Sequence, residues 1–165
     1  MNSSNTRTNI NGVMLTEDLP DRIAGYLKAA ASAKNDWREA ESLLLRAQAA
    51  DPECLYVYYT LYKLYFGHNR LSDADRAIFL ALDKASKQAG IPSDWHMLSA
   101  SSCDWSNVDS PQHFYLFSLK ALAFVRLRQN CLDDANQMLE KLRELDPWDS
   151  VGASVIEAYA AGAVA

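Results

Sequence analysis

Three short segments of this chain repeat one pattern: Asn35-Asp36-Trp37-Arg38-Glu39-Ala40, Asn69-Arg70-Leu71-Ser72-Asp73-Ala74 and Asn130-Cys131-Leu132-Asp133-Asp134-Ala135. The asparagines mark turns, and the alanines explain the constraint. Two helices joined in a tight hairpin need a small residue where their axes come closest. Ala74 follows Ala40 by 34 residues, and Ala135 follows Ala74 by that period plus an insertion of 27. In the first and third segments a proline comes 12 residues after the alanine, at Pro52 and Pro147. Repetition at such a period is the mark of a stacked array, in which no unit buries its apolar face alone.

The densest unit runs from Leu55 to Ala89. It opens with Tyr56, Tyr58, Tyr59, Tyr62, Tyr65 and Phe66, breaks at Gly67-His68-Asn69-Arg70, and resumes through Leu71, Ala74, Ile78, Ala81 and Leu82. Apolar residues three and four apart on both sides of the break predict two antiparallel helices. Before it, a helix is expected from about Glu17–Pro20 through Ala31, capped by Thr16, and a second carries Trp37, Ala40, Leu43, Leu44 and Ala47. Asp51 is expected to cap the aromatic helix, with Pro52 in its first turn. Gly90 should end the fourth helix. Ile91 to Ser110 reads as loop, apart from a short helix from Asp94 to about Ala100 capped by Ser93. Ser110-Pro111 starts a long helix, Asn130 breaks it, Leu132 to Leu145 forms its partner, and a terminal helix follows from about Ser150 to Ala161.

At 165 residues the chain reads as one domain over 17–165, preceded by a polar, flexible tail over 1–16. Hydrophobic residues make up 49% and charged ones 22%, the balance of a globular protein. The net charge of −5 argues against nucleic-acid binding, because the counterion-release contribution needs a basic patch. Cys54, Cys103 and Cys131 are odd in number and widely spaced, which supports neither a disulfide framework nor a zinc site. No apolar run is long enough to span a bilayer, and no membrane partner is expected. A cytoplasmic, reduced protein is the expectation.

The repeated residues resemble the tetratricopeptide repeat family. In the middle unit Tyr58, Leu61, Tyr65, Ala74 and Ile78 stand at the family's pattern positions. The third unit offers Leu119, Leu122, Ala123, Ala135, Leu139 and Pro147, and the first Leu27, Ala40, Leu44, Ala47 and Pro52. Tyr62 and Lys28 depart from the family's small residue, Arg126 and Ala31 from its tyrosine, and Ser86 from its proline. The resemblance implies an all-α superhelix of three hairpins at about 21–53, 55–89 and 113–147. An insertion over 90–112 and a capping helix over 149–162 complete it.

It also implies a concave groove lined by the first helix of each unit. The groove positions are Tyr56, Tyr59, Lys63 and Phe66 in the middle unit, and Phe117, Lys120, Phe124 and Leu127 in the third. Tyrosine gives large, rigid contact area with a polar tip, which suits a peptide-binding wall. The other reading of these aromatics is packing against the insertion and the first unit. Family members that bind chaperone tails clamp a terminal carboxylate with Lys, Asn and Arg. The corresponding places here hold Gly25, Ala29, Thr60, Phe117 and Ala121, so that clamp is absent.

Within the insertion, Trp95 and Trp105 are candidates for a lid over the groove or a plug in the core, the plug being favoured for Trp95 with Ile91, Met97 and Leu98. The terminal helix carries one charge, Glu157, after Asp149, and Val151, Val155, Ile156 and Tyr159 are candidate homodimer contacts. Packing of this helix on the third unit is the alternative. His96, Cys103, Asp104 and His113 fit no metal-ligand spacing, and no nucleophile–base pair, phosphate loop or catalytic carboxylate pair stands out. The expectation is a noncatalytic scaffold or adaptor without cofactor, binding a protein or peptide.

A further resemblance extends to SDWHM, HFYLFSLKALAFVRLR and LEKLRELDPWDSVGASVI, which look like small bacterial tetratricopeptide proteins encoded among nitrogen-fixation genes. It implies an accessory or assembly role. The runners-up are a type III secretion-type chaperone, a class generally without the long insertion, and a structural homodimer.

Overall fold

Three residues in the left-handed backbone region and two Asp-Pro steps set where helices stop. Asn69 (φ 56°), Gly90 (φ 69°) and Asn130 (φ 61°) each follow a helix, in a conformation that asparagine and glycine tolerate best. The amide after each reaches back to the last helical turn: Arg70 to the Tyr65 carbonyl at 2.8 Å, Ile91 to Ser86 at 3.0 Å, Cys131 to Arg126 at 2.8 Å. The left-handed residue's own N–H bonds to Phe66, Lys87 and Leu127 respectively. This paired closure satisfies carbonyls that a helix end leaves without partners. At Asp51 and Asp146 the following proline disfavours helical backbone, and both residues leave the helical region (φ −144°, ψ 88° and φ −127°, ψ 65°).

The structure is a computed structural model that describes residues 8–10, 13–15, 19–33 and 35–162. Its elements are β1 (Thr8–Ile10), β2 (Val13–Leu15), α1 (Asp21–Ser32), α2 (Trp37–Ala50), α3 (Leu55–Gly67), α4 (Leu71–Ala89), a 3₁₀ turn (Trp95–Met97), α5 (Pro111–Arg128), α6 (Leu132–Leu145) and α7 (Ala153–Gly162). Among the described residues seven α-helices carry the fold, so the all-α class expected from sequence is the observed one. None of the described helices is long and apolar enough to cross a membrane. Of the residues read as a tail, 8–10 and 13–15 form a two-stranded antiparallel ribbon, Thr8 opposite Leu15. The remainder of 1–16 lies outside the described residues.

From sequence, 17–165 reads as one domain; in the structure the chain groups into two compact units, Met1–Ala77 and Ile78–Ala165, dividing inside α4. In the first, α1 packs on α2 and α2 on α3. Ile23, Leu44, Ala47, Val57, Tyr58 and Leu61 are its buried centre, and the Tyr58 hydroxyl donates to the Pro52 carbonyl at 2.6 Å. In the second, α5 packs on α6, and α7 lies against both. Tyr115, Leu116, Leu119, Leu122, Leu142 and Leu145 fill its core, each large side chain contributing about 1.5–3 kcal/mol by leaving water. All three repeat alanines are buried: Ala40 at 4% exposure, Ala74 and Ala135 at 0%.

Several boundaries differ from expectation. α1 starts at Asp21 with Pro20 ahead of it and no side-chain cap, and Thr16 lies outside the described residues. Asp51 does not cap α3. Its carboxylate accepts from the Glu53 amide at 3.1 Å, so Asp51-Pro52 makes a turn and α3 begins only at Leu55. The helix expected from Asp94 to about Ala100 is a single 3₁₀ turn, capped by the Asp94 carboxylate and not by Ser93. α7 starts at Ala153, because Asp149 (φ 54°) and Gly152 (φ 72°) hold the preceding residues in turns. Ser110 and Pro111 act as expected, the serine Oγ accepting from the His113 amide. The closure beside Asn35 differs from those at Asn69 and Asn130: the Asp36 amide bonds to the Ala33 carbonyl at 3.1 Å, and the Asp36 carboxylate accepts from the Arg38 and Glu39 amides.

Candidate functional site

α3 is apolar around most of its circumference, and its surroundings sort the aromatics. Tyr58, Leu61 and Tyr65 are buried, as the repeat register implies. Of the four groove positions expected on this helix, Tyr56 and Phe66 are half-buried and Lys63 is exposed. Tyr59 is corrected: at 3% exposure it backs the wall and is not presented on it. Its ring stacks on Tyr56 (6.1 Å, 18°) and meets Tyr62 edge-on (5.4 Å, 81°). Lys63 Nζ lies 5.9 Å from the Tyr59 ring centroid, within cation–π reach.

In the first unit α1, α2 and α3 enclose an open cleft of about 340 Å³. α1 contributes Leu27, Ala30 and Ala31, and α2 contributes Ala40 and Leu44. The α3 wall is Tyr56, Thr60, Lys63, Leu64 and Gly67, with His68 at its end. The small α1 residues keep it open: an alanine wall leaves room that larger side chains would fill. The Thr60 hydroxyl donates to the Tyr56 carbonyl at 2.7 Å, so it serves its own helix first. Burial, and then the neighbouring Cys54, push the Tyr56 phenol up, so it stays a neutral donor.

Beyond His68 sits a second feature. The Trp37 ring lies 5.8 Å from the His68 ring, with the Arg70 guanidinium 4.6 Å and the Arg38 guanidinium 5.5 Å from its centroid. Arg70 is also bonded to Asp73 at 2.6 Å, and Arg76 bonds the same carboxylate. Neither Trp37 nor His68 is selected from sequence, where one reads as a helix residue and the other as a solvated turn. Their juxtaposition depends on α2 lying against α3, which no local pattern encodes.

The third-unit groove positions have different surroundings. Phe117 is buried, and the Lys120 ammonium lies 4.3 Å from its ring while donating to the Val151 carbonyl at 2.7 Å. Burial pulls the Lys120 pKa down, partly offset by Asp149. Phe124 meets Tyr159 edge-on (5.4 Å, 89°), and Leu127 is half-buried. The C-terminal segment therefore meets Lys120 and Phe124, which is the packing on the third unit raised as the alternative for the terminal helix. Of the candidate dimer contacts, Val151 is corrected: it is buried at 5% exposure within its own unit. Ile156 is half-buried, while Val155 (69%) and Tyr159 (53%) are exposed. A second cleft, of about 310 Å³, lies between α6 and α7 and is edged by the Arg143–Glu157 ion pair.

Of the two insertion tryptophans, the one left open between lid and plug is the buried one. Trp105 is the plug, 4% exposed, its indole N–H donating to the Ser99 carbonyl at 2.9 Å and its ring beside Tyr115. Trp95, favoured as the plug, is half-buried and stacks on its neighbour His96, while Met97 is exposed. Buried Trp105 is no lid. His96 Nδ1 bonds the Asp94 carboxylate at 2.7 Å and holds it below the usual carboxylate range. Burial, then Asp104, push the Cys103 thiol up, the opposite of an activated nucleophile. Among the described residues no group of three or more His, Cys, Asp or Glu is placed to hold a metal ion.

Comparison of the chain with models of protein families, with curated proteins and with solved structures finds no match.

Proposed function

We propose that the chain is a noncatalytic protein-interaction module of the tetratricopeptide kind, and that the cleft between α1 and α3 holds a segment of a partner protein. The observation that carries this reading is the cleft itself. Its floor is apolar, its α3 wall combines Tyr56 with Thr60 and Lys63, and its size is at the low end of the roughly 300–1,000 Å³ of ligand pockets. Supporting the repeat arrangement are the identical left-handed asparagine closures at Asn69 and Asn130 and the burial of Ala40, Ala74 and Ala135. In that arrangement 90–112 is an insertion and α7 a cap. A place among accessory factors of nitrogen fixation is the pathway proposal that goes with the sequence resemblance.

The test uses Ala31→Trp, an exposed helical position whose new ring fills the cleft. Affinity purification from the native cell with both proteins is expected to recover a partner that the variant loses, its circular dichroism being unchanged. Equal capture by both overturns the cleft reading. A second reading, a homodimer through α7, is favoured by exposed Val155 and Tyr159. A monomeric mass in light scattering at micromolar concentration rejects it.

A further inference from the structure

The charges around the cleft go against the composition of the chain. With 21 acidic residues against 16 basic ones, a random surface patch would carry more carboxylates than cations. Yet among the described residues the cleft is lined by Lys63 and by no carboxylate. The cationic edge continues past His68 to Arg70 and Arg38 on the Trp37 ring. Beside this edge Asp36 accepts from two α2 amides, and Asp73 pairs with Arg70 and Arg76, which leaves Lys63 and Arg38 as the cations that face an occupant. Lys63 and Arg38 are exposed, so their charge is offered to whatever enters.

From this we infer that the occupant is an acidic peptide segment of a partner protein, with one aliphatic or aromatic side chain in the cleft and Asp or Glu beside it. The inference rests on the cleft being the binding site. Ala30, Ala31, Leu27 and Leu44 receive the apolar side chain, giving the contact area. Lys63 and the His68–Arg38 edge receive carboxylates, giving orientation and discrimination against basic segments. This recognition does not use Thr60, whose hydroxyl is bonded to the Tyr56 carbonyl.

A randomised 12-residue peptide library displayed on phage and panned on the full chain tests this. Enriched sequences are expected to combine an apolar residue with Asp or Glu. Synthetic copies should bind in fluorescence anisotropy and lose binding to Ala31→Trp. Lys63→Glu should weaken them about tenfold or more, Arg38→Ala severalfold, and added salt should weaken the wild-type complex. Neutral or basic peptides that depend on Ala31 but not on Lys63 overturn the inference and leave the cleft reading standing. If no peptide enriches, or if binding survives Ala31→Trp, the cleft reading falls and the inference with it.

Discussion

Replacing Trp105 by alanine should cost far more stability than replacing Trp95, although the two occur in nearly the same local sequence, SDW and CDW. Trp105 is 4% exposed, lies beside Tyr115, and donates its indole N–H to the Ser99 carbonyl at 2.9 Å. Removing a buried aromatic of this size costs about 3–5 kcal/mol, through lost transfer energy and the cavity left behind. Of that, the indole hydrogen bond accounts for about 0.5–1.5 kcal/mol. Trp105→Phe isolates this part, because it keeps an aromatic ring and leaves the Ser99 carbonyl without its donor, so a loss of about 1–2 kcal/mol is expected. Trp95 is half-buried and its stacking partner is its own neighbour His96, so Trp95→Ala should cost under about 1 kcal/mol. Urea denaturation followed by far-ultraviolet circular dichroism gives all three values, provided the slopes stay alike. A Trp95→Ala loss equal to or above that of Trp105→Ala refutes the assignment of the plug.

Asn130→Val should destabilise by about 1–2 kcal/mol, because a β-branched side chain is strained at φ 61°, while Asn130→Gly should be neutral or mildly stabilising. Cys131→Val is the control, since Cys131 is at φ −93°, and thermal melts that treat the two valine variants alike refute the turn argument. His113 supplies a pH dependence. Burial lowers its pKa below 6.5, as does Lys120 more weakly, against Asp146 and Asp109, which raise it. The unfolded chain therefore binds the proton first. Stability is full above pH 6.5 and is lost as pH falls through the folded value, with a slope of at most about 1.4 kcal/mol per pH unit. Urea midpoints between about pH 7.5 and 5 should fall less steeply in His113→Phe than in wild type; equal slopes refute this role.

Local sequence determined the helices to a good degree. Periodicity and turn signals together placed the seven described helices, and Gly90, Asn69, Asn130 and Ser110-Pro111 end or begin them for reasons internal to a few residues. Where a signal had two local solutions, sequence was insufficient. Asp51 was free to cap a helix or close a turn. Asp94 and Ser93 competed for one short turn, and the Asp94 carboxylate took it. The repeat register placed Tyr58, Leu61 and Tyr65 in the core, but it did not mark Tyr59 and Tyr62, which are as deeply buried.

What only the tertiary structure decided is which of the remaining side chains meet another element. Tyr59 is buried among Tyr56 and Tyr62, Lys120 is drawn to the Val151 carbonyl, and Trp105 rather than Trp95 reaches Tyr115. The cleft itself depends on the gap between α1 and α3 across α2, and its cationic edge joins residues from two helices and a turn. Periodicity reports the face of a helix that leaves water. The distance at which the next helix stops is set by the volumes of side chains on both, and those volumes meet only in the folded chain.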